Sequence, residues 1–485
     1  MPLPIPFIQQ CQNLLGADNV IAESECLRVY ECDALSAYRT LPELVVLPET
    51  VEQVRALMRF CRDHSVPVVP RGAGTGLAGG AMPVAGGIVL GLSKMNRILS
   101  LDPVNRTARV QPGARNLAIS EAAKSHGLFY APDPSSQVAC SIGGNIAENA
   151  GGVHCLKYGL TVHNVLQVQL VTSDGELLTL GGNGLDAPGY DLLALAIGSE
   201  GLLGIVVEAT VRLLPLPPST RVLLAAFASV EEAAAAVAAI ISDGLLPAGL
   251  ELMDNAAIRA TEAFVHAGYP VDAAAILLCE LDGLAEQVEA DSLRAEAVLK
   301  AHGAIEIRIA DDESQRRRFW AGRKAAFPAV GRIASDYYCM DGTIPRKHLA
   351  AVLKRISEMG GEHGLVVVNV FHAGDGNLHP LILYDGNRPG DFEKAEALGG
   401  KILELCVAVG GTITGEHGVG SEKIPYMCVQ FQAAELEQFH RLKRAFDPDG
   451  LLNPGKAVPT LHRCAELGRM HVHHGELPHP QLERF

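Results

Sequence analysis

The sequence predicts an α+β protein with more than one domain. The sequence has 485 residues, which is more than a domain with a single hydrophobic core usually contains. This length favours two or three domains. Hydrophobic residues make up 48% and charged residues 20%, proportions that are typical of a folded globular protein. Short apolar runs that indicate strands alternate with segments of helical periodicity. Together these observations predict two successive α+β units.

The first unit is predicted from the residues before position 216. Thr50 and Gln53 are typical of a capping box, and a helical stripe of apolar residues follows them. The alternating run at 165–172 ends at Ser173-Asp-Gly, which is a hairpin-turn signal. The other predicted elements are strands at 66–69, 87–91 and 108–113 and a helix at 115–126.

The segment at 213–218 predicts a boundary, because its prolines block both helix formation and sheet pairing. Beyond it the pattern repeats as strand, helix and strand, which predicts a second α+β unit with mostly antiparallel pairing. The predicted strands lie at 221–228, 245–253 and 274–279, and the predicted helices at 230–243 and 285–302.

Charge and cysteine usage narrow the class of protein. The net charge of -15 argues against a nucleic-acid partner and against docking on anionic lipid. The 11 cysteines include no C-x-x-C pair, which disfavours an iron–sulfur cluster held by this protein alone, and their scatter suits a reducing compartment. Residues 1–7 lack the basic region of a signal peptide, and no apolar run reaches the length of a membrane span. We therefore expect a cytoplasmic protein.

A glycine-rich loop follows the strand predicted at 66–69. Glycines stand at positions 72, 74, 76, 79 and 80, so successive backbone N–H groups can form a concavity for the pyrophosphate of a nucleotide cofactor. A dinucleotide-binding Rossmann loop is disfavoured, because Leu77 replaces the third glycine and the segment at 78–87 is too rich in glycine and proline for a helix. Taken alone, the loop could also be a plain structural turn.

Further motifs resemble the vanillyl-alcohol-oxidase type (PCMH type) of FAD-dependent oxidoreductase. Within that family they are similar to the branch that oxidises D-2-hydroxy acids, which includes D-lactate dehydrogenases, D-2-hydroxyglutarate dehydrogenase and the flavin subunits of bacterial glycolate oxidases. The segment at 336–345 and the tail at 461–474 resemble these flavin subunits most. The motifs are Ala131-Pro-Asp-Pro-Ser, Ser141-Ile-Gly-Gly-Asn-Ile-Ala-Glu-Asn-Ala-Gly-Gly, Gly198-Ser-Glu-Gly-Leu-Leu-Gly-Ile, Phe371-His-Ala-Gly-Asp-Gly-Asn-Leu-His, Gly415-Glu-His-Gly-Val-Gly and Asn453-Pro-Gly-Lys.

The resemblance implies an FAD-binding domain of the PCMH type and an α+β cap domain with a largely antiparallel sheet. The implied limits are 1–216 for the FAD-binding domain, 217–410 for the substrate or cap domain, 411–460 for a segment returning to the flavin, and 461–485 for a tail. The implied FAD-binding residues are Pro70, Arg71, Gly72, Ala73, Gly74, Thr75, Gly76, Pro132, Asp133, Ser141, Gly143, Gly144, Asn145, Glu200, Gly201, Gly204, Ile205 and Asn453.

The resemblance also bears on how FAD is held. Members of this family that bind flavin covalently commonly use a His or Cys at or near the glycine loop, and residues 70–90 contain neither. We therefore expect FAD (non-covalent), with Cys140 and Cys155 as the alternatives for a covalent link.

Two histidines flank a predicted hairpin. His372 ends the strand predicted at 366–371, and His379 opens the strand predicted at 380–384, so both imidazoles can face one point. Each could instead be a structural histidine. The resemblance adds Glu416 as a third ligand of a divalent metal (Zn, Fe or Mn) and His417 as the catalytic base that takes the substrate hydroxyl proton while flavin accepts the hydride.

Arg323 resembles the arginine that binds the substrate carboxylate in this family. A planar guanidinium can grip a carboxylate through two parallel hydrogen bonds, which lysine cannot do. The alternative is an arginine on the surface of a helix, next to Arg316-Arg-Arg318. We expect Lys324 to be solvated.

The resemblance implies FAD- and metal-dependent oxidation of a small 2-hydroxy acid, glycolate first and D-lactate second. It further implies a hetero-oligomer with a second flavin-type subunit and an iron–sulfur subunit that passes electrons to quinone, and any membrane association would arise through these partners. The alternatives are a D-lactate dehydrogenase or other D-2-hydroxy acid dehydrogenase that works as a single polypeptide, a zinc hydrolase, and a non-catalytic flavin-binding scaffold subunit. The His-rich stretch at 470–479 is expected to be a solvated tail.

Overall fold

The computed structural model describes residues 3–184 and 189–459. The predicted tail at 461–485, with its His-rich stretch, lies outside these residues. Four strands near the N-terminus form a mixed sheet in the order β1-β2-β4-β3, and β3 and β4 run parallel. The strands are β1 (Val20–Ile21), β2 (Leu44–Val46), β3 (Val68–Arg71) and β4 (Ile88–Gly91).

A second, five-stranded sheet is wholly antiparallel, with the order β5-β6-β10-β8-β9. The predicted hairpin after residue 172 is confirmed as the connection between β8 and β9. A separate short strand, β7 (Leu128–Phe129), lies outside this sheet. The five strands are β5 (Ile98–Asp102), β6 (Thr107–Val110), β8 (Val165–Val171), β9 (Leu177–Gly181) and β10 (Ile205–Arg212).

Helices cover these two sheets. The capping box is confirmed: the Thr50 hydroxyl accepts from the Gln53 backbone N–H, and the helix that follows buries Val54, Leu57 and Met58 against the first sheet. The helices of this half are α1 (Ile5–Leu15), α2 (Ser24–Leu27), α3 (Val51–Asp63), α4 (Asn116–Ala123), α5 (Ile142–Glu148), α6 (Cys155–Tyr158), α7 (Thr161–Asn164) and α8 (Leu192–Ala196).

The proline-rich segment differs from its prediction in one respect. Prolines were expected to prevent sheet pairing throughout 213–218, but β11 (Leu214–Pro215) pairs with β7. The pairing involves only two residues on each strand, and an isolated two-stranded edge tolerates a proline that cannot donate a hydrogen bond.

The second half of the protein forms one seven-stranded antiparallel sheet, in the order β15-β12-β14-β13-β17-β18-β16. The mostly antiparallel pairing predicted for this half is thereby confirmed. The strands are β12 (Ser219–Phe227), β13 (Gly249–Asp254), β14 (Ala275–Gly283), β15 (Ala304–Ile309), β16 (Asp336–Cys339), β17 (Val366–Phe371) and β18 (Pro380–Tyr384).

Helices pack on both faces of this sheet, which explains why its central strands are buried on both sides. The helices are α9 (Val230–Ser242), α10 (Asn255–Val265), α11 (Ala285–Ala301), α12 (Glu313–Lys324), α13 (Ala326–Val330), α14 (Leu349–His363) and α15 (Asp391–Ala408).

The last described segment returns to the first sheet. After α16 (Ile424–Gln430) and α17 (Ala433–Phe446), Leu452 forms a parallel bridge with Val68 at β3, and the Asn453 backbone N–H donates to the Val68 carbonyl at 2.8 Å. This return brings residues from the last part of the sequence beside the glycine loop. Among the described helices, none combines the length and the apolar character needed to cross a bilayer.

Candidate active site

The glycine loop lines a cavity of about 490 Å³. Strand β3 leads into the loop, and the first turn of α5 and the segment before β10 supply other parts of the lining. The residues predicted to bind FAD that line this cavity are Pro70, Arg71, Gly72, Ala73, Gly74, Thr75, Gly76, Ser141, Gly143, Gly144, Asn145, Glu200, Gly201, Gly204 and Ile205.

Two glycines show why this loop needs the smallest residue. Gly74 has φ +72°, and a Cβ there would lie 2.2 Å from Nη2 of Arg71. A Cβ on Gly72 would lie 2.3 Å from Oγ of Ser141, the residue that caps α5 by accepting from the Gly144 backbone N–H. The loop therefore lies close to the start of α5 at Gly72, and the left-handed backbone at Gly74 favours glycine.

Three residues predicted to bind FAD do not line the cavity. Asp133 is engaged by His154 instead, accepting from its backbone N–H at 3.0 Å and contacting Nδ1 at 2.8 Å. The Pro132 carbonyl accepts from Asn116. Asn453 is buried and donates from Nδ2 to the backbone carbonyls of Gly80 and Glu200. It therefore connects the glycine loop to the segment before β10 without lining the cavity itself. The segment at 134–136 lines the cavity where Pro132 and Asp133 were expected.

The two histidines of the hairpin meet Glu416. His372 lies at the end of β17 and His379 at the start of β18, and antiparallel pairing brings the two rings to a centroid distance of 5.1 Å. Nε2 of His372 lies 3.3 Å and Nε2 of His379 lies 3.2 Å from the same oxygen of Glu416. Burial opposes ionisation of Glu416, but the two adjacent histidines outweigh it and hold the pKa of this carboxyl well below its usual value.

The donor set of this cluster fits a divalent cation. The three ligand atoms lie within 4.8 Å of one another. Two ligand atoms that each lie about 2.0–2.1 Å from a tetrahedral metal are about 3.3 Å apart. The distances from Nε2 of His372 and of His379 to the Glu416 oxygen, 3.3 and 3.2 Å, are close to this value. Nε2 of His379 is buried and has no aligned hydrogen-bond partner among the described residues. Two imidazoles and one carboxylate are also a ligand set that zinc, iron and manganese accept.

A second group of potential ligands shares His379 with the first and adds Asp341 and His417. The carboxylate of Asp341 already accepts from the backbone N–H groups of residues 415–417 and lies 3.4 Å from the ammonium of Lys423. Its lone pairs are therefore occupied, and the cluster of His372, His379 and Glu416 is the better metal site.

His417 lines the cavity beside His379, and the two imidazoles stack in parallel at a centroid distance of 5.0 Å. Burial lowers the pKa of His417 to about 4, so the ring is neutral near pH 7. Nδ1 of His417 has no aligned hydrogen-bond partner among the described residues. A neutral imidazole in the cavity lining is suited to accept a proton.

Arg323 was predicted to bind the substrate carboxylate, with a surface arginine as the alternative. It is buried in α12, so it is not a surface arginine, and it is not among the residues that line the cavity. Its Nε donates to Oε2 of Glu251 at 2.7 Å, and Nη2 lies 2.6 Å from the same oxygen. The neighbouring Lys324 is exposed, as expected, and lines the cavity together with Phe327 and Tyr337.

Sequence reasoning missed Glu251, Asp341 and Lys423. Glu251 is a buried carboxylate in an otherwise apolar strand, and that interruption of Gly-Leu-Glu-Leu-Met is the signal that could have identified it. Asp341 belongs to a motif that was noted, yet nothing local indicates that its partners lie beyond residue 413. Lys423 is fully buried. The sequence does not indicate this burial, because a lysine just before a helix is usually exposed.

Comparison with known proteins places the chain in a family. A model described as "FAD binding domain" matches residues 42–181, and one described as "FAD linked oxidases, C-terminal domain" matches residues 216–457. The chain is 65% identical to the glycolate oxidase subunit GlcD of Escherichia coli (strain K12) over 94% of its own length and 91% of that protein. It is 34% identical to a D-lactate dehydrogenase of Anaerostipes hadrus over 91% and 95% of the two proteins.

The fold is similar to that of p-cresol methylhydroxylase with substrate bound. The TM-score is 0.81 at 19% identity, covering 94% of this protein and 97% of the other. The predicted PCMH-type fold with an antiparallel cap is therefore confirmed, as is the FAD-binding domain. The chain belongs to the family of FAD-linked oxidases, and within it to the group that contains glycolate oxidase subunits and D-lactate dehydrogenases.

Proposed function

We propose that this protein oxidises glycolate to the 2-oxo acid with bound FAD and a divalent metal ion. The observation that carries the proposal is the presence of His379, Glu416 and His417 in the lining of the cavity that also contains the glycine loop. A cofactor-binding loop and a set of metal ligands beside one cavity suit a redox reaction on a substrate that binds metal through oxygen.

Each group of residues has a separate task. FAD would supply a hydride acceptor, and a cation held by His372, His379 and Glu416 would supply a Lewis acid for the substrate oxygens. His417 takes the proton of the substrate hydroxyl, since its ring is neutral near pH 7 and lines the cavity. Arg323 is the residue that the family resemblance assigns to the substrate carboxylate, and its guanidinium is held by Glu251 through Nε and Nη2.

Small substrate size is supported by the aromatic residues of the lining. Phe327 packs edge-on against Tyr337 at a centroid distance of 5.9 Å and against His379 at 6.2 Å. These rings occupy space beside the proposed metal ligands, which favours glycolate and D-lactate over bulkier 2-hydroxy acids. The higher identity to a glycolate oxidase subunit than to a D-lactate dehydrogenase ranks glycolate first.

Two alternative functions are less well supported. A zinc hydrolase needs no flavin, so that function would not account for the FAD-binding domain. A non-catalytic flavin scaffold would not need the ligand cluster or a neutral His417 beside the cavity.

The protein is further proposed to work within a hetero-oligomer, because its bacterial relative is named as a subunit of glycolate oxidase. An iron–sulfur subunit would pass electrons from the flavin to quinone, and a second flavin-type subunit would complete the assembly. We also propose that the protein is cytoplasmic and that any membrane contact arises through its partner subunits.

The experiment is a substrate panel assayed with an artificial electron acceptor, which replaces the partner subunits. Glycolate should give the highest kcat/KM, D-lactate a lower one, and a 2-hydroxy acid with a longer side chain the lowest. A preference for the longest acid would contradict the argument from the aromatic lining and favour another D-2-hydroxy acid dehydrogenase.

A further inference from the structure

Glu251 contacts two residues that the proposed function assigns to different tasks. It lies on β13 with 1% of its surface exposed. Its Oε1 lies 2.8 Å from Nδ1 of His372, and its Oε2 accepts from Nε of Arg323 at 2.7 Å. One buried carboxylate therefore joins a proposed metal ligand to the arginine proposed for the substrate carboxylate.

The contact with His372 fixes the tautomer of that ring. A carboxylate can only accept a hydrogen bond, so Nδ1 of His372 must carry the proton. Nε2 then has its lone pair free, and it is this atom that lies 3.3 Å from Glu416 in the ligand cluster. Metal-binding histidines commonly donate their second N–H to a carboxylate in this way, which orients the ring and raises its basicity.

The contact with Arg323 fixes the guanidinium in the same manner. Nε and Nη2 both lie within 2.7 Å of Oε2 of Glu251, and the arginine is buried. The carboxylate of Glu251 is thus held between two hydrogen-donating side chains, and each of them is held by it.

Building on the proposed function, we propose that Glu251 is a positioning residue that couples the metal site to the substrate-carboxylate site. It holds His372 in the tautomer that presents Nε2 to the cation, and it fixes the guanidinium of Arg323 through contacts with both Nε and Nη2. Neither the metal nor the substrate needs to touch Glu251 for this role.

The variant Glu251→Gln tests whether Glu251 acts through its charge and hydrogen bonds and not only through its volume. Glutamine has nearly the same shape, but it has one acceptor oxygen for two donors and no charge to balance Arg323. Metal affinity should fall by about 10–100-fold, the range seen when the carboxylate partner of a ligating histidine is removed. The KM for glycolate should also rise, because Arg323 loses the group that fixes it.

Glu280→Gln provides a matched control. Glu280 is a buried carboxylate on the neighbouring strand β14, and it also pairs with a histidine and with an arginine of α12. Its partners are His154, Trp320 and Arg316, which are not members of the ligand cluster. This variant should lose stability to a similar extent and keep the metal affinity of the original protein.

The experiment titrates metal-stripped, FAD-loaded full-length protein with Mn²⁺ and follows the free ion by electron paramagnetic resonance. We expect Glu251→Gln to bind about 10–100-fold more weakly than both the original protein and Glu280→Gln. A dissociation constant within twofold of the original would overturn the inference. If Glu251→Gln does not fold, Glu251→Asp replaces it, since the shorter side chain cannot reach both partners, and the same thresholds apply.

The titration also distinguishes failure of the inference from failure of the proposed function. If the original protein does not bind Mn²⁺, the proposed metal site itself is wrong, and the role of Glu251 falls with it. If the original protein binds and Glu251→Gln binds equally well, only the positioning role is wrong.

Discussion

The loop that carries Glu416 and His417 should depend on one buried ion pair. Asp341 is fully buried, and its carboxylate accepts from the Thr414 hydroxyl at 2.6 Å and from the His417 backbone N–H at 2.9 Å. Lys423 is also fully buried, with Nζ 3.4 Å from the same carboxylate oxygen. Asp341 is therefore one of the buried groups that hold this loop against the end of the seven-stranded sheet.

Asp341→Asn should destabilise the protein by about 3–5 kcal/mol, the usual cost of leaving one partner of a buried ion pair without its counter-charge. The asparagine has one acceptor oxygen, so it also cannot accept from all the donors of the loop. Turnover should fall as well, because a shift of about 1 Å in the catalytic groups can cost about 100-fold in rate.

The assay is urea unfolding of the FAD-loaded protein, followed by the fluorescence of Trp320, the only tryptophan in the sequence. The double variant Asp341→Asn with Lys423→Met is the control, because it removes both charges and should be less destabilised than the sum of the single variants by more than about 1 kcal/mol. An Asp341→Asn protein within about 1 kcal/mol of the original, or strictly additive effects, would refute the reasoning.

Three further predictions concern the proposed roles in catalysis. His417→Ala should lower turnover by about 10²–10⁴-fold while flavin absorbance and metal content stay normal, and near-normal turnover would show that it is not the base. Arg323→Lys should raise the KM for glycolate because lysine lacks the forked donors, and an unchanged KM in steady-state assays would remove Arg323 from the substrate site. His379→Ala should lose metal, measured by mass spectrometry, yet remain yellow because the glycine loop is intact, and full metal content would place the ion elsewhere.

The parts of the site that are local in sequence could be predicted. The glycine spacing predicts a loop after β3 that can line a cavity, and the hairpin predicts that the two histidines lie close together, although each pattern also allowed a purely structural role. Antiparallel pairing then brings His372 and His379 together without help from the rest of the protein. The helix capped by Thr50 was predictable for the same reason, since all its determinants lie within a few residues.

The parts that depend on distant partners could not be predicted. Glu251 is 121 residues from His372 and 72 from Arg323, so nothing near it in the sequence indicates that it joins them. The Arg323 side chain contacts this carboxylate. Because Glu251 lies outside the motif that contains Arg323, the motif alone indicated a contact with substrate and did not indicate the contact with Glu251. Asp133 similarly turned towards His154 and away from the cavity.

Reduction of the flavin by substrate tests the central claim most directly. The purified protein is mixed anaerobically with glycolate while the flavin absorbance band is recorded, and chelator-treated and metal-restored samples are run alongside. We predict rapid bleaching by glycolate that is abolished by chelation and recovered when the metal is returned. Bleaching that is equally fast after complete removal of metal, or a flavin that glycolate and D-lactate both leave oxidised, would contradict the account.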